Sequence, residues 1–181
     1  MNLPHQIPFR ILAVALTSRG LGYAVLEGET SLIESSRTSV RNGDKNRQCI
    51  AKVKKLTAFY RPAALVLQDV ASKGSRRDQR IKVLQREVIR LAAKQRLLVR
   101  LISEKQLRSL LLGNASGTKH EMAAMLTKHF PDELAFRLPP KRRPWQSEDS
   151  RMDIFDAVAL AVAFRIKGKK WWSLTSKDKY D

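Results

Sequence analysis

The sequence predicts a mixed α/β domain, with antiparallel strands at one edge of an otherwise parallel sheet. Two observations predict it: three short apolar strands joined by tight turns at the N-terminal end, and an alternation of strand and helix after them. Residues 9–16 read as a buried strand, Thr17-Ser18-Arg19-Gly20 as a turn and 21–27 as a second strand. A turn at Gly28-Glu29 leads into a third, partly alternating strand over 32–40, completing a meander.

The polar break Arg41-Asn42-Gly43-Asp44 precedes a helix with Ile50, Val53, Leu56 and Tyr60 on one face, which Arg61-Pro62 stops. Residues 63–70 form a fourth strand, ending in Gln68-Asp69. A basic loop then leads to a long amphipathic helix over 78–96. Ile81, Leu84, Val88, Leu91 and Ala92 make its apolar stripe, while Arg80, Lys82, Arg86, Arg90 and Lys94 take other faces. Residues 97–102 are the fifth strand. Helices follow at 104–112 and 119–129, then a Pro-rich basic loop over 131–149 and a final helix over 151–166. The division is an extension over 1–8, one domain over 9–166, and a basic tail over 167–181 containing Trp171-Trp172.

The 181 residues suit one packed domain, and 43% apolar residues exclude wholesale disorder. Lys and Arg number 35 against 17 Asp and Glu, a formal charge of +18. Such a charge favours a polyanionic partner, because displacing counterions from phosphates supplies sequence-independent affinity. Nucleic acid comes first and an anionic membrane surface second. A single cysteine, Cys49, excludes an internal disulfide and a cysteine-based zinc cluster, and fits a reducing cytoplasm. No apolar run is long enough to span a bilayer, and the first residues do not read as a signal peptide.

Four segments carry a family resemblance. Ile11-Leu12-Ala13-Val14-Ala15-Leu16-Thr17-Ser18-Arg19-Gly20-Leu21-Gly22-Tyr23-Ala24-Val25 resembles, without a gap, the opening I-L-G-I-D-P-G-S-R-x-T-G-Y-G-V of RuvC-type Holliday junction resolvases. Leu65-Val66-Leu67-Gln68-Asp69-Val70 resembles that family's second motif, an apolar strand ending I-E-[EDQ]-V. Residues 97–126 resemble the next segment, with Gly113 and Lys119 at its glycine and functional lysine. Asp153-Ile154-Phe155-Asp156-Ala157-Val158-Ala159-Leu160-Ala161 resembles the terminal D-A-A-D-A-[LV]-A-[LI]-A helix. The resemblance implies an RNase H-like fold around a five-stranded mixed sheet, a homodimer, and a role in DNA recombination and repair. It also implies four carboxylates holding two Mg²⁺ ions, which activate a water and stabilise the leaving oxygen in phosphodiester hydrolysis.

Two of those four positions are degenerate. Ala15 stands at the first-strand aspartate, and a methyl cannot ligate a metal. Gln68 stands at the glutamate, keeping its shape and losing its charge. Asp69 offers a replacement only if the strand ends or bulges there, since adjacent strand residues face opposite ways. Asp153 and Asp156, three apart, share a helix face near its N-terminus. Asp153 also reads as a capping partner of Ser150, whereas Asp156 sits in an apolar run and needs a partner or a metal.

The remaining catalytic and metal candidates are thus Asp69, Asp153 and Asp156, with Lys119 as a basic site residue. Lys119, Arg108, Lys73, Arg76, Arg77, Lys141, Arg142 and Arg143 are the candidates for nucleic-acid contact. Trp145 is expected to pack over the domain, with stacking on an unpaired base as the alternative. His120 and His129 read as helix-surface residues without metal-ligand spacing. The leading expectation is a protein that binds branched or structured nucleic acid, DNA before RNA, with its nuclease impaired or lost. The alternatives are an active Mg²⁺-dependent endonuclease rebuilt on Asp69, Asp153, Asp156 and Glu148 or Asp149, and a basic ribosome- or membrane-associated scaffold.

Overall fold

A computed structural model describes residues 9–71 and 78–175, the stretch 169–175 as backbone only. The N-terminal extension, the loop residues Lys73, Arg76 and Arg77, and the side chains of Trp171 and Trp172 lie outside the described residues. Five strands, β1 (Arg10–Thr17), β2 (Gly20–Glu27), β3 (Ser31–Ser39), β4 (Ala64–Gln68) and β5 (Leu98–Ile102), form one sheet in the order β3-β2-β1-β4-β5. The first three pair antiparallel, and β4 and β5 join parallel to β1. This is the mixed five-stranded sheet the sequence predicts.

Side-chain alternation along the central strands divides the interior in two. Ile11, Ala13, Ala15, Ala24 and Val66 face the C-terminal helix α6 (Met152–Thr175), with α3 (Glu104–Leu112) and α4 (Lys119–His129) beside it. Leu12, Val14, Leu16, Leu65 and Leu67 face α1 (Lys45–Tyr60) and α2 (Gln79–Lys94). Central strands apolar on both faces are what a sheet covered by helices on each side requires.

Local signals place the helix ends. Asp44 caps α1 through Arg47 N and Asp78 caps α2 through Ile81 N. Ser103 with Gln106 and Thr118 with Glu121 make reciprocal capping boxes on α3 and α4. At Arg61 the backbone turns left-handed, with φ of 46°, and Pro62 follows, so α1 cannot continue.

Two stretches differ from expectation. The segment read as a loop from 131 begins with a helical turn, α5 (Pro131–Leu134), and a 3-10 turn over Ala135–Arg137. Proline at the start, two acids in the first turn and the fully buried Leu134 account for it. The final helix also continues past residue 166 to Thr175, into the stretch assigned to the tail. No residue between 166 and Thr175 is a proline, so nothing in that stretch forces the helix to stop.

Candidate nucleic-acid interface and its carboxylate cluster

The ends of β1 and β4 and the starts of α4 and α6 meet on the α6 side of the sheet. Beside them lies an open cleft of about 1290 Å³, lined by Gln68 at the end of β4 and Asp69 just after it, Arg108 from α3, Lys119 from α4, and Lys141, Arg142, Glu148 and Asp149 from the loop before α6. It is larger and more open than pockets that enclose a small molecule.

Ala15 sits at the back of this region, 1% exposed and packed with Met152 and Phe155. The strand register explains what replaces it. Ala15 pairs with Gly22 on β2, and Gly22 pairs with Arg37 on β3, forming one row across the sheet. A Cβ on Gly22 would come within 1.9 Å of the Asp153 carbonyl oxygen, so the first turn of α6 lies directly on the strand there. Arg37 Nε reaches to 3.7 Å from Asp153 Oδ2. The row that lacks the first-strand acid carries a cation.

Asp153, 2% exposed, is met by Arg19 Nη2 at 3.5 Å and by the Thr17 hydroxyl, which donates to Oδ2 at 3.4 Å. These contacts are long. Burial pushes the Asp153 carboxyl above its ordinary value, with Arg19 opposing and the neighbouring Asp156 adding to the rise. Asp156 is better held: Lys119 Nζ donates to its Oδ2 at 2.8 Å and to Glu148 Oε2 at 3.3 Å. Arg19 Nη1 also donates to the Glu148 carbonyl at 2.9 Å, tying the β1–β2 turn to the loop before α6. Three acids, Glu148, Asp153 and Asp156, are matched by three cations, Lys119, Arg19 and Arg37.

The capping role expected of Ser150 and Asp153 gives way to Asp149. Its carboxylate accepts the Arg151 backbone N–H at 2.8 Å and pairs with the Arg151 guanidinium, which holds it down at about 2. β4 does end at Gln68, the condition set for Asp69 to turn, and Asp69 lines the cleft. Its Oδ1, however, accepts from Ala71 N at 3.0 Å, and its own N–H donates to the Ile102 carbonyl at 2.9 Å. Asp69 therefore closes a turn at the strand end. The structure brings Asp153 and Asp156 together with Lys119, and Asp69 lines the same cleft from the end of β4. Among the described residues no group of three or more His, Cys, Asp or Glu is placed to hold a metal ion.

These residues do not fit the two-metal site that the resemblance implies. A methyl fills one ligand position, an uncharged amide stands at a second, and arginine or lysine is paired with each inner carboxylate. Sequence reading missed Thr17, Arg19 and Arg37 as members of the cluster. Strand register carried the signal for Arg37, because the row Ala15–Gly22–Arg37 follows from the two hairpins.

On the rim, Lys141, Arg142 and Arg143 are exposed, and Arg108 pairs with Glu104 one turn earlier. Trp145 corrects an expectation. It is 77% exposed, with the Arg143 guanidinium 5.7 Å from its ring centre, and does not pack over the domain. His129 is exposed as expected, and His120 is half-buried at the cleft edge.

No protein-family model and no curated protein matches the chain. Solved structures do. The Thermus thermophilus RuvC structure superposes with a TM-score of 0.66 at 16% identity, over 90% of this chain and 96% of that one. The same organism's RuvC in complex with Holliday junction substrate gives 0.67 at 17% identity, with the same coverage. The yeast mitochondrial Holliday junction resolvase Ydc2 gives 0.62 at 11% identity, over 87% of this chain and 78% of that one. Strand order, helix placement and these superpositions agree: the chain has the RuvC-type RNase H-like fold.

Proposed function

We propose that this protein binds branched or structured nucleic acid, DNA before RNA, in the cleft beside α6, and does not hydrolyse it. The observation that carries the reading is the closed ion-pair cluster. Lys119 lies 2.8 Å from Asp156, and Arg19 and Arg37 lie 3.5 and 3.7 Å from Asp153, so the carboxylates that divalent ions would have to share are already paired with side-chain cations. Cleavage needs a polarising cation that exchanges ligands with substrate and water, and an ammonium fixed to Asp156 does neither. Binding needs only cationic side chains at the rim, which Lys141 and Arg142 supply with the exposed Arg143 next in sequence, within a chain of net charge +18. The likeness to a RuvC in complex with Holliday junction substrate supports a branched ligand.

Gel shifts on a four-way junction and on linear duplex, across a series of salt concentrations, test the binding. The junction is expected to bind more tightly, with log affinity falling by about four units or more per decade of salt. Equal weak binding to both, or no salt response, would overturn the reading. Incubation of the junction with Mg²⁺ or Mn²⁺ tests the chemistry. Cleavage that disappears in Asp156→Asn would establish the rebuilt endonuclease instead.

A further inference from the structure

The other side of the sheet carries a charge pattern that the cleft does not use. In sequence, α1 contains five Lys and Arg and no Asp or Glu; α2 contains five more cations and one acid, Glu87. These two helices pack on each other and on the core opposite to α6, so the ten cations belong to one layer. Some are already engaged. Arg80 holds Asn46 and the carbonyls of Thr17 and Ser18, and Lys52 lies over the Tyr23 ring.

Lys82, Arg86, Arg90 and Lys94 are different. They stand at successive i, i+4 positions along α2, about 6 Å apart, and form a stripe of about 18 Å. Arg86, Arg90 and Lys94 are exposed, and none of the four is ion-paired to a described residue. Like charges at this spacing weaken a helix by a few tenths of a kcal/mol per pair. A partner carrying regularly spaced negative charge reverses that penalty. A second copy set stripe against stripe does not, because a two-fold axis there would oppose like charges.

We propose that the α1–α2 layer is a second phosphate-binding face, so that one molecule holds two nucleic-acid segments, one on each side of its sheet. The inference rests on the reading of the chain as a nucleic-acid-binding protein. The phosphate backbone of a duplex is the partner, since a line of point charges without interleaved aromatic or amide groups reads charge and not bases.

The test is a bridging assay. A four-way junction is fixed on beads, protein is added, and capture of a free fluorescent duplex is measured for wild type and for R86Q/R90Q/K94Q. Glutamine keeps helix propensity at these exposed positions, and an unchanged thermal melt confirms that the variant folds. The variant is expected to load onto the junction within about twofold of wild type. Its capture of the second duplex should fall by about tenfold or more, and the salt slope of that step by about 2.7, from three lost contacts. Undiminished capture by the variant, as two copies each holding one duplex would give, overturns this inference and leaves the cleft reading intact. Failure of wild type to load onto the junction sinks both. A loss confined to phosphatidylserine vesicles, with duplex capture unchanged, would make the partner a membrane surface and also overturn it.

Discussion

Lys119 Nζ joins two carboxylates from different segments, Asp156 inside α6 and Glu148 in the loop before it. Replacing it by methionine leaves a nearly buried carboxylate without its ammonium, and about 1–3 kcal/mol of stability is expected to go. Urea unfolding checks this: K119M should be clearly weaker than wild type, and K119M/D156L should recover most of the loss, because removing both partners is far less harmful than removing one. A single variant as stable as wild type would show the contact to be idle. Asp153 makes a prediction in pH. Its folded carboxyl is raised by burial, so folding takes up a proton there. The stability this contributes is full below the ordinary carboxylate pKa and is lost as pH rises from there through the raised folded value. D153N should remove that decline, so the variant gains on wild type in unfolding midpoints as pH rises above the ordinary carboxylate pKa. Asp149 runs the other way. Held at about 2 by Arg151, it contributes stability at neutral pH that is lost only in strong acid. The acids themselves were readable from motif spacing, as was Lys119, the partner of Asp156; the partners of Asp153 were not. Asp153 contacts Thr17 and Arg19, more than a hundred positions away, and no local pattern reports that pairing.

At the scale of elements, the seat of α6 on β2 is the tight joint of the site. Gly22 permits it, and the row Ala15–Gly22–Arg37 is small, absent and long in turn, which lets Arg37 reach across to Asp153. G22A places a methyl against the Asp153 carbonyl oxygen, and either the helix or the strand must yield. The expected cost is about 1–3 kcal/mol, read in unfolding midpoints, together with weaker junction binding as the loop before α6 shifts. A neutral result would mean that α6 sits further from the sheet. The elements were largely legible because their signals are local: alternation in the strands, apolar stripes in α1 and α2, and side-chain caps at four helix starts. The stretch from 131 was misread because a single helical turn is too short for periodicity to show, and prolines on both sides resemble a loop.

For the molecule as a whole, the sheet separates two charged regions of different kind. On the α6 side acids and cations close on each other; on the α1–α2 side cations stand in excess. Junction affinity and thermal stability are therefore expected to be the same in EDTA as in millimolar Mg²⁺, once total ionic strength is matched. A loss of binding or a lower melting temperature in EDTA would reveal a cation that the fold depends on. The consequence of Lys119 reaches further. A divalent ion is a reagent that a cell can supply, withhold or exchange for another, and a site that needs one can be switched by its surroundings. A lysine is delivered with the polypeptide, once per molecule. On the proposed reading, whatever the cleft holds is held from the moment the protein folds, and release comes from competing polyanions or from salt.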